Sequence, residues 1–244
     1  MSAPILEDEI SSFGPWRVTP AERRRRIRRV FSAVAPRYDL MNDLMSLGIH
    51  RWWKRRLVRQ CEEQTGLLVD LAGGTGDVAS LLRRPDRHVV VCDPSTAMMM
   101  VGQQRFPDIE WLSGEAEHLP LATGSVDLLT ISFGIRNVTS LQRALQEIRR
   151  VLKPGGRFVC LEFSRPVAWL APFYDLYSRL VIPRLGAWVA GEPDAYAYLI
   201  ESIRRFPAQR EFAALLAEAG FVDVRWQNLS FGIACLHFGS RSHA

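Results

Sequence analysis

From residue 66 onward, short apolar runs alternate with amphipathic segments along the chain. The apolar runs have the length of buried strands and cover 67–72, 88–93, 109–113, 126–133 and 156–163. The segments 77–84, 94–105 and 140–152 lie between them and repeat apolar residues at helical spacing. This alternation predicts an α/β fold, with a mostly parallel sheet and helices on both of its faces.

The last third of the chain departs from this alternation. Region 164–206 is a long, mainly helical insertion, and 210–220 is a further helix with Gly220 at its end. Residues 222–230 and 232–239 resemble two final strands joined by a short turn. A terminal hairpin of this kind predicts an antiparallel C-terminal strand in the sheet.

The first 60 residues follow a different pattern. Residues 21–35 repeat apolar side chains at helical spacing among six arginines, with Thr19-Pro20 as the predicted start and Pro36 as the predicted end. The predicted divisions of the chain are a flexible leader (1–20), an N-terminal helical cap that contributes to the substrate pocket (21–62), and a main domain (66–239) with the insertion 164–206.

Charge is distributed unevenly along the 244 residues. Residues 1–60 contain 13 Lys/Arg and 6 Asp/Glu, a net charge of +7, whereas the remaining residues have a net charge of −2. A solvated helix face and attraction to an anionic surface, either phospholipid or nucleic acid, both explain the basic segment. The negative remainder disfavours a broad groove for nucleic acid.

The cysteines indicate the cellular compartment. Four cysteines lie far apart, without a CxxC motif or a Cys/His cluster, which argues against a zinc site and against a disulfide framework. We expect a reduced, cytoplasmic environment and no metal. The acidic N-terminus has no apolar core of a signal peptide, and no apolar run reaches the roughly 20 residues of a membrane span.

The strongest chemical signal is the stretch DLAGGTGD, which follows one strand and opens a helix. Gly73 and Gly74 allow a sharp turn and a close approach of the backbone to a ligand. Asp70 begins the stretch, and Asp93 ends the next strand, where an acid can accept hydrogen bonds from ribose hydroxyls. We therefore expect a nucleoside ligand at the carboxyl ends of the strands.

Two cofactor classes are compatible with this loop. The string GTGDVA, from Gly74 to Ala79, satisfies the dinucleotide pattern with an allowed final Ala. Asp77, however, stands at the helix start, where its charge would repel a pyrophosphate and suit a ligand that carries an ammonium group. S-adenosylmethionine is such a ligand, and 113–121, after the third strand, could frame its adenine.

Two further stretches carry a family resemblance. One is Tyr38-Asp39-x-Met41-Asn42, continued by Ser46, His50 and Trp53, and the other is RVLKPGG at 150–156, continued by Glu162 and Ser164. Together they resemble the ubiquinone/menaquinone biosynthesis C-methyltransferase family, within the class I S-adenosylmethionine-dependent methyltransferases. The resemblance extends from about Val30 to Gly239. It implies a Rossmann-like class I methyltransferase sheet beneath an N-terminal helical cap.

The resemblance also implies roles for individual residues. With the glycine loop, the predicted cofactor-binding residues are Asp70, Gly73, Gly74, Thr75, Asp93, Glu115, Ala116 and Ser132. The predicted substrate-binding residues are Tyr38, Asn42 and Arg136, and the predicted catalytic residues are Arg136, Asn137 and His50. Arg136 would stabilise a phenolate, and a water held by Arg136 and Asn137 would relay the proton. His50 is the base whose intrinsic pKa matches best.

The implied reaction moves a methyl group from S-adenosylmethionine to a ring carbon of a polyprenylated quinol. The substrate would be demethylmenaquinol, 2-polyprenyl-6-methoxy-1,4-benzoquinol, or both. Because such quinols reside in membranes, we expect peripheral association with an anionic membrane, on its inner face, through the basic helix 23–29 and the apolar region 169–188. A homodimer or a quinone-biosynthesis assembly is also consistent with the resemblance.

Other functions are compatible with the same fold. A nucleic-acid methyltransferase is disfavoured because the fourth strand ends in SFGIRN, without an Asn-Pro-Pro-Tyr-like motif. A natural-product methyltransferase acting on a small molecule is a closer alternative. A binding module without turnover is disfavoured by the intact cofactor positions and by Arg136 and Asn137.

Overall fold

A seven-stranded sheet forms the centre of the computed structural model, which describes residues 11–13, 16–180 and 193–243. The strands are β1 (Ser11–Phe13), β2 (Trp16–Val18), β3 (Gly66–Leu71), β4 (Arg87–Asp93), β5 (Glu110–Ser113), β6 (Val126–Ser132), β7 (Leu152–Phe163), β8 (Phe221–Leu229) and β9 (Ala234–Arg241). The main sheet has the order β5-β4-β3-β6-β7-β9-β8. Strands β3 to β7 pair in parallel, and β9 is antiparallel to both β7 and β8, which confirms the predicted terminal hairpin.

Helices cover both faces of this sheet. They are α1 (Pro20–Val34), α2 (Tyr38–Ser46), α3 (Ile49–Arg59), α4 (Asp77–Leu82), α5 (Thr96–Arg105), α6 (Leu141–Val151), α7 (Ala171–Leu180), α8 (Pro193–Arg205) and α9 (Gln209–Glu218), with 3-10 turns at Ala35–Arg37, Ile135–Asn137 and Ser230–Gly232. The central strands are buried on both faces, as their continuous apolar sequences predict. The α/β fold class inferred from the sequence is therefore confirmed.

The two core layers show how the N-terminal segment joins the domain. Ile148 and Phe212 pack with Phe158 on one face of the sheet. Trp53 and Leu57 of α3 pack on the other face and are almost completely buried. Helix α3 therefore belongs to the core of the main domain, whereas α1 and α2 lie over the carboxyl ends of the strands.

Helix α1 begins and ends where the sequence predicts. The Thr19 side chain accepts a hydrogen bond from the Glu22 backbone at 3.2 Å, and Pro20 occupies the first turn, where its missing N–H costs nothing. The helix ends at Val34, directly before the 3-10 turn that contains Pro36.

The leader differs in part from the flexible segment expected over residues 1–20. Strands β1 and β2 pair as an antiparallel ribbon, and Phe13 is buried. The Phe13 ring stacks on Tyr198 of α8, with centroids 4.6 Å apart and planes within 12°. The sequence could not show this contact because its partner lies about 185 positions away. Residues 1–10 lie outside the described residues.

The described part of region 164–206 is mainly helical. It contains α7 and α8, and residues 181–192, which include part of the apolar region expected over 169–188, lie outside the described residues. Within the part of the chain that the structure describes, no helix has the length and apolarity needed to cross a membrane.

Candidate active site

The glycine loop and the acid that ends β4 are joined directly. The Gly74 N–H donates to one carboxylate oxygen of Asp93 at 2.9 Å, and the Ser95 N–H donates to the other at 2.7 Å. Burial raises the pKa of Asp93 to about 6. Gly74 has a φ of +58°, and a Cβ at this position would lie 3.1 Å from Met98, so a larger residue would strain the loop and crowd the cavity beside it.

Asp70 supports this loop from inside the core. Its carboxylate accepts hydrogen bonds from the Thr130 hydroxyl at 2.9 Å and from the Ala79 N–H at 3.1 Å. It is completely buried, and burial raises its pKa to about 7. A Cβ on Gly73 would lie 2.7 Å from the Asp70 carboxylate. Asp70 and Gly73 therefore shape the loop, and Asp70 does not line a described cavity.

A cavity of about 100 Å³ opens next to this loop. Among the predicted cofactor residues, Gly74, Asp93, Glu115 and Ala116 line it, together with Met98 and Ile131. A recess of about 20 Å³ adjoins it and is lined by Thr75, Ser132, Tyr38 and Asn42. The acid at one end, with apolar side chains beside it, suits the ribose and adenine of S-adenosylmethionine.

The predicted ammonium partner, Asp77, has protein partners instead. Lys54 of α3 lies 3.1 Å from its carboxylate, and Arg105 lies 3.6 Å away. Burial acts to raise the pKa of Asp77, but these cations lower it below its usual value. Asp39 of α2 pairs with the same Arg105 and accepts from the Thr75 hydroxyl at 3.3 Å. Ion pairs and hydrogen bonds thus hold the cap against the cofactor loop.

A larger cavity of about 360 Å³ lies between the cap and the insertion. Most of its lining is apolar or aromatic, and the predicted residues Tyr38, Asn42, His50, Arg136 and Asn137 are all part of it. Tyr174 and Tyr177 of α7 line it as well. The structure therefore brings together the predicted catalytic and substrate-binding residues from two separate parts of the chain, 38–50 and 136–137.

The two main cavities meet. Phe31, Tyr38, Phe133 and Asn137 line both of them. Phe133 directly follows β6 and has a φ of +56°, a conformation that is uncommon for a bulky residue. Strained backbone of this kind is concentrated at functional sites. Phe31 and Phe133 carried no separate signal in the sequence, because an aromatic residue on the apolar face of a helix or next to a buried strand cannot be distinguished from the core.

Arg136 forms a buried ion pair with Glu162 at the end of β7. The guanidinium lies 2.7 Å from the carboxylate, and the two side chains are 6% and 1% exposed. Burial raises the pKa of Glu162, although Arg136 acts in the opposite direction. The Arg136 side chain also donates to the Phe133 carbonyl, while its Nε is buried without a partner among the described residues. The pair thus fixes a cation beside the larger cavity.

His50 is engaged by a different acid. Its Nε2 lies 2.8 Å from Asp43, which also accepts two hydrogen bonds from Arg51 at 2.6 Å each. The hydrogen bonds from Arg51 hold the pKa of Asp43 well below its usual range, and burial lowers the pKa of His50. The Nδ1 atom is buried, with no partner in the described part of the chain. His50 therefore lines the cavity with neither ring nitrogen free and exposed, and its catalytic role stays a prediction.

Two residues that matter here carried no clear sequence signal. Tyr174 lies in the cavity wall near Arg136, and burial raises its pKa to about 12, so its hydroxyl remains protonated. Arg23, expected on a lipid-facing helix surface, is instead buried and donates to the carbonyls of the 3-10 turn that contains Arg136. One arginine in a run of four cannot be distinguished from its neighbours until the partner across the cap is known.

The fold is that of a class I S-adenosylmethionine-dependent methyltransferase. Solved structures share the fold: a methyltransferase from Thermotoga maritima, described as a possible histamine N-methyltransferase, has a TM-score of 0.66 at 20% identity and covers 88% of this chain and 99% of its own. The [4+2]-cyclase SpnF has a TM-score of 0.65 at 13% identity over 89% of this chain and 96% of its own.

The model of the ubiE/COQ5 methyltransferase family matches residues 19–241, and the chain belongs to that family. The ubiquinone/menaquinone biosynthesis C-methyltransferase UbiE of Rubrivivax gelatinosus is 65% identical, over 96% of this chain and 94% of its own. The enzyme of the same name from Methylobacterium nodulans is 49% identical, over 96% of this chain and 98% of its own. The resemblance inferred from the sequence motifs is confirmed.

Proposed function

We propose that this protein transfers a methyl group from S-adenosylmethionine to a ring carbon of a polyprenylated quinol, either demethylmenaquinol or 2-polyprenyl-6-methoxy-1,4-benzoquinol or both. The names of its relatives, C-methyltransferases of ubiquinone and menaquinone biosynthesis, support this assignment. A small-molecule natural-product methyltransferase is the alternative that shares the cofactor site.

The observation that carries the proposal is the junction of the two cavities. The smaller cavity has the acid and the loop suited to the cofactor, and the larger one is predominantly apolar, as an isoprenoid chain requires. Their shared residues Phe31, Tyr38, Phe133 and Asn137 mark where the two reactants would meet. Alignment of two bound reactants accounts for much of the rate in such transfers.

The polar groups at this junction suit carbon methylation. Bound S-adenosylmethionine supplies an electrophilic methyl group on its sulfonium. A phenol has a pKa near ~10, and the Arg136 cation beside the ring would favour its phenolate. The phenolate makes the adjacent ring carbon nucleophilic, so that a carbon–carbon bond forms there as the sulfur–methyl bond breaks. The displaced ring proton then leaves and aromaticity returns.

A water held by Arg136 and Asn137 is our proposed first acceptor of the phenol proton. Arg136 cannot accept a proton itself, because a guanidinium stays protonated in proteins. His50 is the second candidate. Its Nε2 contacts Asp43 and its Nδ1 is buried, so it would have to move before accepting a proton.

The decisive experiment uses the purified protein with methyl-labelled S-adenosylmethionine and short-chain quinols. We expect label in the ring of reduced demethylmenaquinol, of the methoxy-benzoquinol, or of both. Absence of label from both rings would overturn the proposed function. A short-chain quinone kept oxidised is the matched control and should not be methylated, because it has no phenol to ionise.

Peripheral binding to an anionic membrane is part of the same proposal, with α3 rather than α1 as the principal contact. Ile49, Trp52, Arg56 and Arg59 follow each other at helical spacing along α3, beside the buried row that contains Trp53 and Leu57. An interfacial helix typically combines an apolar or aromatic end with arginines that reach the headgroups. Each arginine near an anionic surface contributes about 1 kcal/mol.

This helix face continues into the mouth of the larger cavity. Leu47, in the turn before α3, is 83% exposed with a φ of +51°, and Phe173 of α7 is 68% exposed. Both residues, with Ile49, also line the larger cavity. A quinol whose tail remains in the bilayer could enter between them. A homodimer or a quinone-biosynthesis assembly stays a prediction, and an apolar rim of this kind would also suit self-association.

A further inference from the structure

The 3-10 turn Ile135–Asn137 is held from the cap side by a buried arginine. Arg23 of α1 donates through Nη1 to the carbonyls of Asn137 at 2.9 Å and Val138 at 2.7 Å, and through Nη2 to that of Arg136 at 3.3 Å. Arg23 is only 8% exposed. Two nitrogens of its rigid, planar fork thus reach three carbonyls. A residue of the N-terminal helix thus fixes the backbone that carries Arg136.

The same arginine reaches a tyrosine from the helical insertion. Arg23 Nη2 lies 3.4 Å from the Tyr198 hydroxyl, and that hydroxyl lies 2.9 Å from Asn137 Oδ1. A guanidinium can only donate, so the tyrosine oxygen accepts from Arg23 and its proton is directed to Asn137. Burial raises the pKa of Tyr198, which keeps that proton in place.

This polarity determines the orientation of the Asn137 amide. The carbonyl oxygen faces Tyr198, so the NH₂ group points away from it. Asn137 lines both cavities, and its NH₂ has no hydrogen-bond partner among the described residues. Without the tyrosine proton, the amide could rotate by half a turn and present an acceptor in place of a donor.

We propose that Arg23 and Tyr198 are positioning residues that hold the Asn137 amide with its NH₂ donors toward the reacting ring oxygen. This inference rests on the proposed function, since it assigns that oxygen to a quinol. A donor at this place strengthens its hydrogen bond as negative charge develops on the oxygen. Arg23 comes from the cap and Tyr198 from the insertion. Both segments that cover the active site therefore help to orient the Asn137 side chain.

Tyr198→Phe is the most selective test. It removes one hydroxyl and keeps the ring that stacks on Phe13. We expect kcat to fall about tenfold, the effect of losing one oriented hydrogen bond. The Kd for S-adenosylhomocysteine and the Tm should stay close to those of the wild type. An unchanged kcat would overturn the inference, and so would a loss of kcat matched by a loss of Tm or of cofactor affinity.

A double-mutant cycle separates positioning from a general structural effect. Asn137→Ala removes the amide that Tyr198 orients, so adding Tyr198→Phe to it should lower kcat no further. Full additivity of the two losses would contradict the coupling. Arg23→Met should reduce kcat in the same direction, while Arg25→Met, a matched control on the exposed face of α1, should leave kcat unchanged.

The wild-type protein separates this inference from the proposed function. If it methylates neither short-chain quinol, the proposed function fails. If it methylates one of them and Tyr198→Phe does so at the wild-type rate, only the positioning role fails.

Discussion

The guanidinium of Arg136 lies 2.7 Å from the carboxylate of Glu162, and both side chains are buried beside the larger cavity. Arg136 follows β6 and Glu162 lies at the end of β7, and the two meet because parallel neighbouring strands end at the same edge of the sheet. Removing either partner leaves an uncompensated charge in the protein interior, which is far more costly than losing an exposed pair. The pair therefore contributes both to the site and to the stability of the fold.

Glu162→Ala should lower the free energy of unfolding by about 3–5 kcal/mol, because Arg136 is left buried and unpaired. Quinol methylation should fall as well, since the cation loses its fixed position. Denaturant unfolding and the labelled-methyl assay measure the two effects. Asp108→Ala breaks an exposed pair with Arg83 and is the matched control, with an expected change below about 1 kcal/mol. Equal changes in the two variants would contradict the assignment.

The affinity for cofactor should depend on pH through Asp93, whose pKa burial raises to about 6. Above this pH the carboxylate is ionised and accepts strong hydrogen bonds from the ribose hydroxyls. Below it the carboxyl group is neutral and accepts only weak hydrogen bonds. We expect the Kd for S-adenosylhomocysteine, measured by calorimetry, to rise as the pH falls from 8 to 5. Asp93→Asn should bind about tenfold more weakly at pH 8 and lose this dependence. A pH-independent wild type would refute the role of Asp93.

His50→Gln distinguishes a base from a structural residue. Burial lowers the pKa of His50, so folding favours its neutral form. The free energy of unfolding should therefore decline as the pH falls below the unfolded value of ~6.5, and less steeply in the variant. The Nε2 atom of His50 is bound to Asp43, and its Nδ1 atom is buried. We therefore expect the acidic limb of the pH profile of kcat to persist in His50→Gln. Its disappearance in a folded variant would identify His50 as the base.

Membrane binding should depend on the exposed rim of the larger cavity. Trp52→Ser and Phe173→Ser remove exposed apolar side chains and should each reduce cosedimentation with phosphatidylglycerol vesicles several-fold, with little change in Tm. Vesicles of phosphatidylcholine alone should bind the wild type weakly. Trp226→Ser, an exposed tryptophan on the edge strand β8, is the matched control and should sediment like the wild type. A dimer in analytical ultracentrifugation that both rim variants dissociate would assign the rim to self-association instead.

The sequence by itself determined the α/β class, the order of the elements and the glycine loop with Asp93. These features depend on local periodicity and on residues close together in the chain, where side-chain spacing and backbone conformation act directly. The motifs that begin at Tyr38 and at Arg150 were also sufficient to identify the family, because their spacing is preserved without gaps.

Only the tertiary structure decided which groups face one another. It paired Asp77 with Lys54, His50 with Asp43, and Arg136 with Glu162. It also buried Arg23, which the sequence shows only as one arginine of a basic run, and Phe13, which lies in the predicted leader. Both residues contact Tyr198. The reason is physical: an isolated sequence shows which groups can form ion pairs or hydrogen bonds. Burial and long-range packing decide which charge is neutralised, which donor is oriented and which side chain remains exposed.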